Sequence, residues 1–239
     1  MYAEPAPRAK VDRRPSMNAP LISLFQNAFV VFATLTPIIN APGMAPIFLG
    51  LTEGVSHADR SRMARQIALS GLLLVMGSVL VGSHVLAFFG VSIPALRLGG
   101  GLLVIATAWN LLRSENPRPL AGSLHEIATG SAAGTVSVFY PLTFPLTVGP
   151  GTISMSMTLG AEFGASKAPL YLGLTALLIG AIFASLVIYL SYRFADVLTR
   201  ALGETGTIVF LRLASFILLC IGIQIAWEGV SALIQSLKS

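Results

Sequence analysis

Pro37-Ile38-Ile39-Asn40-Ala41-Pro42-Gly43-Met44-Ala45-Pro46 and Pro145-Leu146-Thr147-Val148-Gly149-Pro150-Gly151-Thr152-Ile153 are two versions of one pattern, a proline followed five residues later by Pro-Gly. Each lies near the middle of a long interval without formal charge, residues 15–52 for the first and 127–161 for the second. Proline removes a helical N–H donor and its ring collides with the preceding turn, while the glycine after it accepts backbone angles closed to other residues. A helix crossing either interval is expected to break there.

The surroundings of these breaks must be lipid. Charged residues make up 10% of the 239-residue chain and hydrophobic ones 54%, whereas a soluble domain carries about 25% charge. So few charges cannot cover a water-facing surface without large apolar patches. Further charge-free intervals run over 66–96, 98–112 and 168–192, with a last one around Arg212. Roughly 20 apolar residues rising about 1.5 Å each cross the hydrocarbon, so each interval holds one span. The fold expected is all-α and polytopic, with six transmembrane helices near 20–50, 66–89, 93–112, 134–160, 168–192 and 207–230. Helices follow from the need of every backbone group in lipid for an internal partner. Residues 1–17 read as a disordered tail, with Met17 as an alternative start, and residues 18–239 as the membrane domain.

A second correspondence accompanies the first. Leu96-Arg97-Leu98 opens the third span and Leu211-Arg212-Leu213 the sixth. The halves then match as repeat 1, about 20–112, and repeat 2, about 134–234. Three spans per half make the second enter the membrane from the opposite side, which is an inverted repeat. Broken helices at corresponding positions of inverted halves are the best sequence pointer to a solute site at mid-membrane. The residues expected there are Thr36, Asn40 and Gly43 at the first break, and Thr147, Gly149, Gly151 and Thr152, with Thr143, at the second.

Other polar residues divide by depth. Arg97 and Arg212 are intramembrane arginines that either meet a substrate carboxylate or serve structure by reaching the headgroups. His84 and Glu228 are the titratable groups nearest the spans that a proton would need, His84 reading as packed and Glu228 as an interfacial anchor. His57 reads as a solvated loop residue. Ser56, with Asp59 three residues on, has the form of a capping box that starts the second helix early. Gly99-Gly100-Gly101 and Ala176-x3-Gly180-x3-Ala184 are small-residue faces for close helix approach. Alternating loops gather Arg60, Arg62, Arg65, Arg113, Arg118, Arg193 and Arg200 on one side; the basic tail with Lys167 and Lys238 nearly balances them, but counted from Met17 only Lys167 and Lys238 oppose them, which favours both termini outside.

The same inventory excludes several classes. The chain has no His-Glu-x-x-His metal pair and no aspartate within a span, and Ser83 and His84 point about 100° apart on a helix, so an enzyme is not expected. No metal or organic cofactor is implied; sodium or a proton is the coupling ion to consider. No basic stripe interleaved with aromatics suggests nucleic acid, and Cys220 cannot form an internal disulfide. The partners expected are the lipid bilayer and a small polar solute, and the small-residue faces leave a homo-oligomer open.

The runs Asn40 to Leu49, Ile93-Pro94-Ala95-Leu96-Arg97, and Pro141-Leu142-x2-Pro145-x3-Gly149-Pro150-Gly151-Thr152-Ile153 resemble the MarC family of bacterial inner-membrane proteins, over about residues 20–235. That resemblance implies a six-span inner-membrane transporter of neutral amino acids such as glycine and alanine. It carries the family's conserved positions onto Asn40, Gly43, Gly149, Pro150, Gly151 and Thr152, and its span-opening arginines onto Arg97 and Arg212. Two departures stand out: Ala41 separates Asn40 from its proline, and Val148 replaces a smaller residue before Gly149. The implied mechanism binds the solute carboxylate on freed backbone amides and helix N-termini, with Asn40 and the threonines on the ammonium. A non-transporting scaffold and a drug-efflux protein are the alternatives.

Overall fold

The structure, a computed structural model, describes residues 19–113, 138–165 and 169–237. The tail, Arg118, Lys167 and Lys238 of the sequence reading lie outside them. The elements are α1 (Ala19–Ile39), α2 (Ala41–Leu51), α3 (His57–Phe89), α4 (Ile93–Arg113), an irregular segment (Val138–Thr147), α5 (Pro150–Ala165), α6 (Leu170–Arg193) and α7 (Ala195–Ser236). Among the described residues there is no strand. Among the described residues five stretches are long and apolar enough to cross a membrane: Leu21–Ile39, His57–Gly82, Ile93–Arg113, Tyr171–Arg193 and Ala195–Ser236. Phe25, Phe29, Leu73, Phe216 and Trp227 point outward from them, the surface that hydrocarbon requires.

Local chemistry sets the helix ends. Ser56 caps α3: the Asp59 N–H donates to Ser56 Oγ at 3.1 Å, and the Ser56 hydroxyl donates to Asp59 Oδ2 at 2.7 Å. The second helix therefore starts well before its charge-free interval, as the capping box predicts. Gly90 ends it at φ 65°, where the Val91 N–H reaches back to Leu86 O at 2.9 Å, the wrapped ending that a left-handed glycine allows. Gly203, at φ 67° and ψ −178°, divides α7. Only glycine adopts those angles readily, and the part after it contains the expected sixth span.

Two expected spans differ from what forms. The first interval does not break at Pro37, which sits inside α1, but at Asn40, whose φ of 49° and ψ of 39° are left-handed. Asparagine enters that region more cheaply than any other residue but glycine. Since α1 has 21 residues, the 11-residue α2 is an additional half-length helix. The fourth interval is not a continuous helix near 134–160. Tyr140 and Phe144 are extended (φ −125°, ψ 123° and φ −121°, ψ 127°), because a following proline disfavours the helical region; both peptide bonds to those prolines are cis. What remains is α5, 16 residues long.

Packing uses absence of side chains. Lipid supplies no hydrophobic drive between helices, so association rests on close contact of small residues. The most extensive pairing is α4 with α7, where glycines carry the approach. A Cβ on Gly101 would lie 2.5 Å from Ala226 N, one on Gly222 2.9 Å from Ile105 N, and one on Gly229 2.6 Å from Leu98 N. The small face of α6 behaves likewise: Ala176, Gly180 and Ala184 are buried, with Gly180 against Ala28 and Val31 of α1. Elsewhere α1 packs on α6, α3 on both α5 and α6, and α2 on α6 and α7.

These contacts separate neighbouring glycines. Gly101→Leu should overpack the α4–α7 seam and destabilise the protein by about 1–3 kcal/mol or more, read as a lowered Tm in detergent. Gly99→Ala, with nothing within 4 Å of the added Cβ, should leave Tm unchanged or slightly raised.

Candidate functional site

At the first break Asn40 belongs to both helices. Its N–H donates to Thr36 O at 3.0 Å, and its carbonyl accepts from Met44 N at 3.0 Å, so the turning residue keeps its own two backbone groups paired. The Asn40 side chain is 9% exposed and lies across Gly43, where a Cβ would sit 2.6 Å from both of its amide atoms. Glycine at 43 is thus what lets the asparagine fold inward. Asn40 Nδ2 and Thr36 Oγ1 are buried and have no hydrogen-bond partner.

Those two atoms stand apart from the other polar groups of the spans. Ser78, Thr107, Ser156, Thr158, Thr175 and Ser215 each donate to the carbonyl four residues back, at 2.6–3.1 Å. A membrane hydroxyl normally satisfies itself that way. An unpaired buried donor costs about 1–3 kcal/mol, so Thr36 and Asn40 carry an unmet polar demand at the first break.

The second break is built on wide turns. Thr143 Oγ1 donates to Val138 O at 2.9 Å, Thr147 Oγ1 to Leu142 O at 2.7 Å, and Val148 N to Thr143 O at 2.8 Å, each five residues back. Because the Thr147 proton is committed to Leu142, Tyr192 must donate its own to Thr147 Oγ1, at 2.8 Å. Tyr192 is fully buried and stacks on Phe48 of α2 at 4.5 Å between centroids. One tyrosine of α6 therefore ties the second break to the helix that follows the first. Ile153 N returns to Gly149 O at 3.1 Å, which makes Gly151 and Thr152 first-turn residues of α5, without intrahelical partners for their N–H groups.

Helix rise locates both breaks along the bundle. Arg60, near the start of α3, binds the end of α2, its Nε donating to Thr52 Oγ1 at 3.1 Å and its Nη2 to Thr52 O at 3.0 Å. From Thr52 back to Asn40 is about 18 Å of helix. Gly71 faces Val148, about 16 Å along α3 from Arg60. At the far end of α3 the chain turns into α4, where Arg97 pairs with Glu162. Gly151 lies against Val104, about 10 Å along α4 from Arg97. The α2 and α5 N-termini thus lie between the two charged ends, and their helices run from there toward opposite ends.

The remaining expected residues have these places. Thr152 is buried, and its carbonyl accepts from Ser156 at 2.7 Å. Arg97 is spent on Glu162, with its Nε buried and unpartnered, while Arg212 is exposed. Glu228 is exposed and accepts from Gln224 at 3.0 Å. His84, one turn or more before the end of α3, is exposed rather than packed. His57 is not merely solvated, since its Nδ1 stands 3.6 Å from Asp196 Oδ2. Among the described residues no hydrogen bond joins Asn40 or Thr36 to the second break, and no three His, Cys, Asp or Glu side chains form a metal-binding group. Tyr192, Phe48 and Glu162 escaped the sequence reading: Tyr192 and Glu162 flank charge-free intervals and look like interfacial residues, and nothing in the sequence pairs them.

Residues 25–234 match the family described as MarC family integral membrane protein. The chain belongs to the MarC family. Relatives include the membrane protein YvbG of Bacillus subtilis (strain 168), 31% identical over 87% of this chain and 96% of its own length. The inner membrane protein MarC of Citrobacter koseri is 28% identical over 90% and 99%, and a membrane protein of Archaeoglobus fulgidus 28% over 87% and 94%. No solved structure is significantly similar to the chain. The matched range contains both breaks, so this MarC family member is a multi-pass integral membrane protein with the breaks inside the shared region.

The hydrogen-bond direction at Tyr192 is testable. Thr147→Val strands both Leu142 O and the Tyr192 hydroxyl, and should destabilise by about 2 kcal/mol. Tyr192→Phe leaves the Thr147–Leu142 bond intact and should cost about 1 kcal/mol or less. Unfolding in detergent that ranks the two the other way round would mean that Thr147 donates to Tyr192.

Proposed function

We propose that this protein is an inner-membrane transporter of a small polar solute, most simply a neutral amino acid, bound between the two helix breaks. The observation that carries the reading is the buried, unpartnered amide of Asn40 beside Thr36. Two free donors enclosed in protein cost stability unless a ligand takes them up in part of the working cycle. The first turns of α2 and α5 add N–H groups and positive dipole ends of the kind that bind carboxylates. The solute carboxylate would sit on these, while Thr36 Oγ1 and freed carbonyls meet the ammonium.

Packing supports an inverted-repeat origin for this arrangement. If α1 with α2 corresponds to the irregular segment with α5, α3 to α6, and α4 to α7, then the packing of the α1–α2 unit on α6 exchanges with that of the irregular segment–α5 unit on α3, while the α4–α7 packing maps onto itself. All three packings are prominent contacts. The six-span reading counts each broken unit as one crossing, with the breaks near mid-membrane because they lie about 10–18 Å from the charged ends of a core about 30 Å thick. Arg60, Arg62, Arg65, Arg193 and Arg200 would face the cytoplasm. Sodium would suit coupling: Pro42 and Pro46 leave the carbonyls of Ile38 and Pro42 without helical donors, whereas the proton candidates His84 and Glu228 are exposed.

Purified protein in liposomes should take up labelled glycine, alanine or serine by counterflow. Asn40→Gly keeps the left-handed turn and removes the amide; Gly43→Ala pushes on that amide. Both should insert and remain folded yet lose about 10-fold or more of the flux, the worth of one charge-assisted hydrogen bond of about 1.5–3 kcal/mol. Wild-type flux that survives in Asn40→Gly would overturn this site, and absence of wild-type flux under sodium and proton gradients would overturn the solute class.

A further inference from the structure

A second polar feature lies outside the breaks. A cavity of about 220 Å³ opens on the surface between the start of α3 and the end of α6, lined by Ala58, Ser61, Arg62, Arg65 and Tyr189. Arg193 adjoins it through Tyr189: Nη1 donates to the Tyr189 hydroxyl, and the guanidinium lies 5.5 Å from the Tyr189 ring centroid and 5.6 Å from that of Phe194. Ser61, on the facing helix, interacts with the same hydroxyl.

The charges at this end are unevenly spent. Arg60 is committed to carbonyl and hydroxyl oxygens of the α2–α3 turn, and Arg200 to Asp196. Arg62 has a loose partner, Asp59, at 3.6 Å. For Arg65 and Arg193 no carboxylate stands within ion-pair distance among the described residues. Two guanidinium groups, a serine and a tyrosine hydroxyl therefore line one opening, with a third guanidinium, Arg193, held on that tyrosine and a single exposed carboxylate, Asp59, beside Arg62. Every free group there except that carboxylate is a donor, which is the chemistry of a phosphate site.

Depth selects the source of the phosphate. Arg193 is the last residue of the apolar stretch Tyr171–Arg193, and Tyr189 lies one turn inside it. Aromatic residues and arginines one turn from a span end lie at headgroup level, and basic pockets between helices at that level bind anionic lipid heads. We propose that this cavity holds the phosphate of an anionic phospholipid, with Arg62, Arg65 and Arg193 on its oxygens and Ser61 and Tyr189 donating alongside. The occupied pocket would hold the ends of α3 and α6 together. It does not depend on the transport reading.

Native mass spectrometry and thermal unfolding of the purified full chain test it, with phosphatidylglycerol, phosphatidylcholine or inorganic phosphate added to the detergent. Phosphatidylglycerol should bind as a discrete adduct and raise Tm, and phosphatidylcholine should do neither to the same extent. Arg62→Gln/Arg65→Gln should bind phosphatidylglycerol roughly 25-fold more weakly, at about 5-fold for each lost cation near the surface. Arg62→Lys/Arg65→Lys, which keeps the charge, should recover most of that loss and shows that the effect is not misfolding. Equal binding of the two lipids, an unchanged adduct in the glutamine variant, or the same Tm rise from inorganic phosphate alone would each overturn the proposal.

Discussion

A backbone N–H or C=O without a partner in hydrocarbon costs several kcal/mol, and this chain leaves regular helix twice between its charged ends. Everything around the two breaks answers that constraint. At Asn40 the turn is made by one left-handed residue that keeps both neighbouring backbone bonds. At Thr143–Val148 the hydroxyls and one N–H reach five residues back instead of four. Irregular backbone at membrane depth is tolerated only inside protein, and α3, α4, α6 and α7 supply that enclosure.

Enclosure in turn depends on the glycines. A bundle that must wrap half-length helices needs its long helices to approach without intervening side chains, which α4 and α7 achieve through Gly101, Gly222 and Gly229. The aromatic pair Phe48–Tyr192 does the opposite work, filling the space where α2 meets α6. Tyr192 is fully buried yet keeps its hydroxyl satisfied on Thr147, so a bulky residue and a polar break stabilise one another. Three buried side-chain atoms of the described residues stay unpartnered, Arg97 Nε beside its ion pair with Glu162 and, at the first break, Thr36 Oγ1 and Asn40 Nδ2.

The charged ends are organised as deliberately as the interior. Arg60 closes the α2–α3 turn, Arg97 and Glu162 link α4 to α5 at the other end, and the Arg62–Arg65–Arg193 opening remains donor-rich. Arginine serves these places because its planar fork can bind several oxygens at once and its stem lies along apolar surface.

Composition and charge-free intervals were enough to determine an all-helical membrane chain, since a charge content of 10% leaves no other way to satisfy backbone and surface together. Spacing alone also marked the Pro-Gly breaks, the capping box at Ser56 and the small faces of α4 and α6, because each is a local rule of backbone geometry. What the sequence left undecided is set by contacts between distant segments. The break fell at Asn40 rather than Pro37 because a helix tolerates a lost donor more easily than a left-handed turn tolerates the wrong residue. The fourth span became an irregular segment and a short helix because Tyr140 and Phe144 each precede a proline. Tyr192 and Glu162 carry no signal in the sequence that pairs them with Thr147 and Arg97, since partners 45 and 65 positions away are chosen by how the helices stack and not by any pattern along the chain.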